Sequence, residues 1–162
     1  MEKSENNNFD FIEGYDLLKE KYGLPEFDLI ARDFDAEKIL EKETNFIVRE
    51  VRIVISEKLS SYLNLFENLI NPSSPPMFIF SILRNLNPEN KEAIKDIYKK
   101  LSKLQIEVMK LDTLYEESRE VLYVKKVVKE WQNLKVEIYD LIDGLEKGLE
   151  EDNGSKNRGY FG

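Results

Sequence analysis

Two long series of apolar residues in the C-terminal half of the chain constrain its fold more than any other feature. Within each series the residues alternate at spacings of three and four. The first series is Ile94, Ile97, Leu101, Leu104, Val108, Leu111 and Tyr115. The second series is Val124, Val127, Trp131, Leu134, Ile138, Leu141 and Leu145. This spacing places the apolar side chains on one face of an α-helix. It predicts two long amphipathic helices with Trp131 and Tyr115 in or near the core.

The two series are out of phase by two residues. Continued from Tyr115, the first series would place apolar residues at 118, 122 and 125, whereas the second falls at 124 and 127. Phase shifts within a continuous coiled coil are usually of three or four residues, so a break near 114–119 explains the pattern better. We predict a helical hairpin with arms near 88–114 and 118–148. The break lacks Gly and Pro, which leaves one continuous bent helix as the alternative.

A third long helix is predicted over residues 36–70, with Asp35 as its N-cap. Its apolar stripe has the same helical spacing and consists of Val48, Val51, Ile55, Leu59, Tyr62, Phe66 and Leu69. Two short helices are expected before it, over 10–22 with Gly23 after the end, and over 26–32. The predicted fold class is therefore all-α: a helical bundle in which a long C-terminal hairpin packs against a long central helix.

A proline-rich corner, NPSSPPMFIF, follows this central helix. Pro72 is expected to end the helix, because the residue before a proline avoids the helical region. Ser74 is then expected to cap a short helix that carries Pro75 and Pro76 in its first turn. The sequence NPSSPP thus predicts a helix end followed at once by a helix start.

The short helix after Pro76 is apolar on nearly all sides. Such a helix is either enclosed by its own bundle or covered by another chain, and the long helices nearby favour enclosure. Phe78 and Phe80 point about 200° apart on a helix. We therefore predict that one of them is in the core and that the other lies near the surface as a partner anchor, with Met77 as a further candidate partner-binding residue.

Composition excludes several classes of function. The chain has no Cys and no His, which removes thiolate chemistry, disulfides, the commonest general base and the commonest transition-metal ligand. We predict no catalytic, cofactor-binding or metal-binding residues, with a carboxylate-metal enzyme as a remote alternative.

No apolar run is long enough to span a membrane and the start does not resemble a signal peptide, so we expect no membrane insertion and a cytoplasmic location. We also expect a disordered segment over 1–8, one helical-bundle domain over 9–148 and a flexible tail over 149–162.

Charge is distributed unevenly along the acidic chain, whose net charge is −8. Residues 99–129 are locally basic, with eight basic and five acidic side chains. Folding the hairpin would bring its two groups of lysines together, and the candidate binding residues are Lys99, Lys103, Lys110, Lys126 and Lys129. A solvated outer face is the simpler interpretation. The sharper one is a docking patch for an acidic partner, for RNA, or for the acidic N-terminal part of a second copy.

The leading functional prediction is a non-catalytic helical protein-interaction or assembly subunit, of adaptor or scaffold type. It depends on the missing catalytic groups and on the long heptad helices. The alternative is a ribonucleoprotein-associated protein that binds RNA or an acidic partner through the basic face. The expected partner is another protein, with RNA as the alternative and homo-oligomerisation left open.

Overall fold

The structure is a computed structural model. It describes residues 10–156, with side chains described up to Glu151. These residues form six α-helices and one 3₁₀ helix, and contain no strand. In chain order the elements are α1 (Phe11–Tyr22), α2 (Phe27–Phe34), the 3₁₀ helix (Ala36–Ile39), α3 (Ile47–Ile70), α4 (Met77–Arg84), α5 (Pro88–Thr113) and α6 (Glu117–Lys156). The predicted fold class, an all-α helical bundle, is confirmed. The segment predicted to be disordered, 1–8, lies outside the described residues.

The described residues divide into two compact units. The first contains the residues up to Lys58 together with Glu107–Val128, and the second contains Leu59–Ile106 together with the residues from Lys129 onward. The first unit therefore holds α1, α2, the 3₁₀ helix and the turn between α5 and α6. The second unit holds α4 and the longer segments of α5 and α6. The prediction of a single domain over 9–148 stays a prediction.

The helical hairpin is confirmed, because α5 ends at Thr113 and α6 begins at Glu117. The turn is closed locally, with the Glu116 carbonyl accepting hydrogen bonds from the backbone N–H groups of Arg119 (3.0 Å) and Glu120 (3.1 Å). Side chains pair across the two arms within each unit, Glu107 with Lys126 in the first and Lys100 with Glu137 (2.5 Å) in the second. One continuous bent helix is therefore the wrong interpretation.

Burial in α5 and α6 follows the two apolar series. The six members from Ile94 to Leu111 are at most 7% exposed, and the six from Val124 to Leu141, with Trp131 among them, are at most 4% exposed. The last member of each series is the exception. Leu145 is only partly buried. Tyr115 is exposed and was wrongly placed near the core, because α5 ends before its seam reaches this residue.

The predicted start of the central helix is wrong by eleven residues, since α3 begins at Ile47 rather than at 36. Asp35 does not cap it. Its backbone is left-handed (φ 56°) and ends α2, and its carboxylate accepts a hydrogen bond from Lys58 Nζ at 3.0 Å. The 3₁₀ helix buries the side chains of Ala36 and Ile39 almost completely. Burial of these two residues favours a short turn at this point over a helix that continues into α3. The apolar stripe of α3 is buried as predicted, except that Tyr62 is only partly so.

Local signals at the N-terminal helices were predicted more accurately. The Asp10 carboxylate caps α1 by accepting from the backbone N–H of Ile12 at 2.9 Å. Gly23 ends α1 in the left-handed conformation (φ 66°), as the sequence predicts. The second short helix, α2, runs two residues past its predicted end at 32. Pro25 lies two residues before the start of α2.

The last helix is longer than predicted, since α6 continues to Lys156 rather than ending at 148. Its glycines allow it to approach the first turn of α5 and the residue that follows α4 closely. A Cβ atom on Gly144 would lie 3.3 Å from Asn90 Oδ1, and one on Gly148 would lie 3.4 Å from the Asn85 carbonyl oxygen. The rest of the predicted tail, residues 157–162, lies outside the described residues.

Candidate partner-binding surface

Helix α4 begins after the proline pair rather than around it. Its first residue is Met77, Pro76 stands at the N-cap position with an extended backbone (ψ 154°), and no side chain caps the helix. The prediction that Ser74 caps a helix with both prolines in its first turn is therefore wrong. The physical reason is that Pro76 disfavours helical backbone at Pro75, so both prolines cannot lie in the first turn. The first turn closes through a hydrogen bond from Phe80 N–H to the Pro76 carbonyl at 3.0 Å.

Only a narrow stripe of α4 is buried. Ile79 and Ile82 are each 6% exposed, whereas Met77 is 79%, Phe78 65% and Phe80 48% exposed. The prediction that one of the two phenylalanines is in the core is therefore wrong, and enclosure of the whole helix is wrong with it. A helix of eight residues presents a single side to its neighbours, and Phe78 and Phe80 lie on either side of the buried stripe. The three candidate residues thus form an exposed apolar surface.

A groove lies beside α4, within the second unit. Its volume is about 290 Å³. Its apolar walls come from the end of α3, the proline corner, α4 and the start of α5, and consist of Leu69, Ile70, Pro72, Leu83, Leu86 and Ile94. Two lysines, Lys91 and Lys95, complete the lining. Phe80 stands three residues before Leu83, so these two side chains are neighbours on the helix surface. We call this feature the corner groove.

The predicted lysines are all exposed, but they do not belong to one unit. Lys99, Lys103 and Lys129 belong to the second unit, and none of the three forms an ion pair within the described part of the chain. Lys99 and Lys103 continue the line begun by Lys91 and Lys95, because all four are separated by four residues on α5. Successive residues at this spacing are neighbours on the helix surface, and each step turns by about 40° around the axis, so the line of lysines curves around α5. The sequence contains this spacing, but Lys91 and Lys95 lie before residue 99 and were not among the predicted site residues.

The other two predicted lysines, Lys110 and Lys126, belong to the first unit. They line a separate cavity of about 230 Å³ next to the turn between α5 and α6, together with Arg119 and Glu107. Lys126 is paired with Glu107. Arg119 lies 3.5 Å from Glu116. These pairs favour the simpler interpretation, a solvated face, for this part of the predicted basic patch.

A buried ion pair in the first unit was not predicted. Arg52 on α3 donates from Nε to Glu120 Oε2 at 2.8 Å, and its Nη2 lies 2.8 Å from Asp112 Oδ1. The side chains of Arg52 and Glu120 are 2% and 0% exposed. Burial acts to lower the pKa of Arg52, and the hydrogen bonds and charges of Glu120 and Asp112 outweigh it, so that the pKa is raised. The group ties α3 to the hairpin turn. One signal existed in the sequence, since Glu120 stands four residues before Val124, at a seam position where an apolar residue is expected.

Two tyrosine side chains are also buried in the first unit. Tyr15 donates a hydrogen bond to the Pro25 carbonyl at 2.8 Å. Burial raises the pKa of Tyr15, and the nearby charges of Glu26 and Asp16 raise it further. Burial likewise raises the pKa of Tyr123, although Ser56 and Arg52 act in the opposite direction. Both phenols are therefore neutral at physiological pH and serve as packing groups.

The described residues contain neither a candidate metal site nor a candidate membrane span. No cluster of three or more acidic side chains there is placed to hold a metal ion. None of the described helices combines the length and apolarity needed to cross a membrane. No protein-family model, curated protein or solved structure matches this chain.

Proposed function

We propose that the protein is a non-catalytic helical interaction subunit that binds a partner protein through α4. The observation that carries the proposal is the exposure of Met77, Phe78 and Phe80 together on a helix of two turns. Large apolar side chains that are exposed singly are common on protein surfaces, whereas a contiguous apolar patch usually marks an interaction site. Aromatic side chains are also the residues that most often dominate binding energy at interfaces.

The groove beside α4 supports the proposal that this helix is the binding surface. The corner groove is lined by Leu83, which is the neighbour of Phe80 on the helix surface, so a partner that covers the aromatic ring also meets an apolar recess beside it. A combination of a protruding aromatic residue and a recess is typical of the central, well-packed part of a protein interface. Exclusion of water from both would provide the main driving force.

Site-specific photocrosslinking tests the proposal. A benzophenone amino acid is introduced at Phe78 or Phe80 in living cells, and the matched control carries it at Leu17 on α1. Leu17 is 66% exposed and Phe78 is 65% exposed, so the two positions differ in location and not in accessibility. We expect an adduct of one defined mass from α4 and none from Leu17. The crosslinked protein, once identified and purified, should lose at least about tenfold in affinity when Phe78 or Phe80 is changed to Ser, which equals roughly 1.4 kcal/mol.

The proposal fails if Leu17 gives the same adducts as α4, because crosslinking would then report random collisions. It also fails if neither α4 position gives any adduct, or if both serine variants bind the purified protein as tightly as the wild type.

The second candidate function is binding of RNA through the basic face. The observation in its favour is that Lys99, Lys103 and Lys129 are exposed and form no ion pair with described residues. RNA affinity would fall steeply with salt, because cations are released from the phosphates on binding. The net charge of −8 opposes this function, and it is tested by the oligonucleotide competition described below.

A further inference from the structure

Building on the proposed function, we infer that the corner groove binds an acidic amphipathic helix of the partner protein. Apolar side chains of that helix would enter the groove beside Phe80, and its carboxylates would lie along Lys91, Lys95, Lys99 and Lys103. The inference thus names the chemistry of the partner and the side of α4 on which it docks.

The size and lining of the groove favour side-chain anchors. Its volume of about 290 Å³ is at the lower end of the range for small-molecule sites, which are roughly 300–1,000 Å³. Its walls are aliphatic apart from the two lysines, so they offer no polar groups to orient a small ligand. One or two leucine-sized side chains need no such groups. The part of the chain that the structure describes has no strand edge to extend, and an apolar groove between helices suits the insertion of an amphipathic helix.

The line of lysines sets the charge and the length of the partner. Lys91 and Lys103 are twelve residues apart on α5, which corresponds to about 18 Å of helix axis at roughly 1.5 Å per residue. A partner helix of about three turns can lie along this distance. Two of its faces are then defined, one apolar toward the groove and one acidic toward α5. Charge complementarity of this kind increases the association rate and selects among partners.

An existing ion pair at the groove does not prevent this arrangement. Lys95 Nζ lies 2.9 Å from Glu92 Oε1, and the two side chains are 60% and 70% exposed. Pairs exposed to this extent contribute little stability, because water screens them. A partner carboxylate can therefore replace Glu92. Glu92 and Asp96 are the two acidic residues that α5 carries among these four lysines, so the face stays positive.

The test uses two designed helical peptides of about 18 residues, or roughly 27 Å. Both carry Leu at i, i+3, i+4 and i+7 positions, and their remaining positions are Glu-rich in one peptide and Lys-rich in the other. Each is labelled with fluorescein and titrated with the full chain by fluorescence anisotropy. We expect the Glu-rich peptide to bind at least about tenfold more tightly than the Lys-rich one, with an affinity that falls as salt is added. Equal binding of the two peptides, or no binding of either, contradicts the inference.

Variants of the chain localise the binding. Phe80→Ala removes the ring next to Leu83, and Leu17→Ala, at an exposed apolar position on α1, is the matched control. We expect Phe80→Ala and the triple variant Lys91→Glu, Lys95→Glu, Lys99→Glu each to weaken the Glu-rich peptide at least about tenfold, while Leu17→Ala leaves it within about twofold. Circular dichroism confirms that each variant is folded. A loss with Leu17→Ala as large as that with Phe80→Ala contradicts the assignment of the groove.

The same binding experiment tests two other ligands, RNA bound to the lysines and a second copy of the chain in the corner groove. A uridine oligonucleotide that displaces the Glu-rich peptide would mean that the lysines bind RNA and that the inference is wrong. Sedimentation of the free chain tests a second copy in the groove, since a dimer that Phe80→Ala dissociates would also overturn it. Crosslinking from Phe78 without any peptide binding would leave the proposed function standing and reject only the inference.

Discussion

Helix α4 and the hairpin formed by α5 and α6 use apolar residues in opposite ways. In α4 six of the eight residues are apolar, but only Ile79 and Ile82 are buried. In the hairpin apolar residues are diluted by charge, yet twelve of the fourteen in the two regular series are buried. Burial therefore follows the angular arrangement of the apolar residues and the neighbours available to them. Where the apolar residues of a helix lack helical periodicity, those outside the buried stripe face solvent.

The length of the two regions explains part of the difference. A helix of eight residues is not stable alone in water, so α4 depends on packing of its one buried stripe. The long arms of the hairpin bury their seams along many turns and leave charged residues outside. The exposed surface of α4 can thus change with little effect on folding, which is a requirement for a surface that evolves to bind a partner.

The largest effect on stability is expected from replacement of Glu120, which is a charged residue at a seam position of α6. Glu120→Ala should destabilise the chain by about 3–5 kcal/mol, because it leaves Arg52 buried with only the exposed Asp112 as a partner. The double variant Arg52→Met, Glu120→Leu should recover most of the loss, since a buried ion pair can often be replaced by apolar residues. Urea unfolding of the three proteins measures both effects. A double variant no more stable than Glu120→Ala would contradict this explanation.

Two substitutions by Ala, one in the core of the hairpin and one on the surface of α4, test the comparison directly. Leu101→Ala in the seam of α5, where Leu101 is 1% exposed, should cost about 2–5 kcal/mol. Phe78→Ala on α4 should change stability by no more than about 0.5 kcal/mol, as is usual for surface positions. The denaturant midpoints and slopes of both variants are compared with the wild type. A loss for Phe78→Ala near that of Leu101→Ala would show that α4 is covered in solution, and the comparison would break.

Alkaline pH should affect the hairpin and spare α4. Burial raises the pKa of Tyr123 above its unfolded value of 10.0. Its contribution to stability is therefore fully present below pH 10 and is lost as pH rises toward the folded pKa. The slope is at most about 1.4 kcal/mol per pH unit for each such tyrosine. Tyr123→Phe should flatten the decline above pH 10, and Phe78→Ala should leave it unchanged. Tyrosinate absorbance recorded during unfolding at each pH provides the measurement.

The elements whose signal is local or strictly periodic were predictable from the sequence. The heptad series predicted the seams of α5 and α6, and their phase difference predicted the turn, because each helix residue advances by about 100° whatever surrounds it. Gly23 was predicted as the end of α1 for a similarly local reason, its access to left-handed backbone. In the candidate site, sequence analysis selected Met77, Phe78 and Phe80 but assigned one phenylalanine to the core.

The helical class, the hairpin and the apolar seams therefore follow from local patterns in the sequence. Which side of α4 is buried, where α3 begins and which charges meet depend on how the chain folds. Phe80 is exposed because Ile79 and Ile82 face the only neighbours that the described chain offers to α4. Asp35 ends a helix instead of starting one because Ala36 and Ile39 are drawn into the core. Arg52 and Glu120 are 68 residues apart, and no local rule relates two such charges until folding brings them into contact.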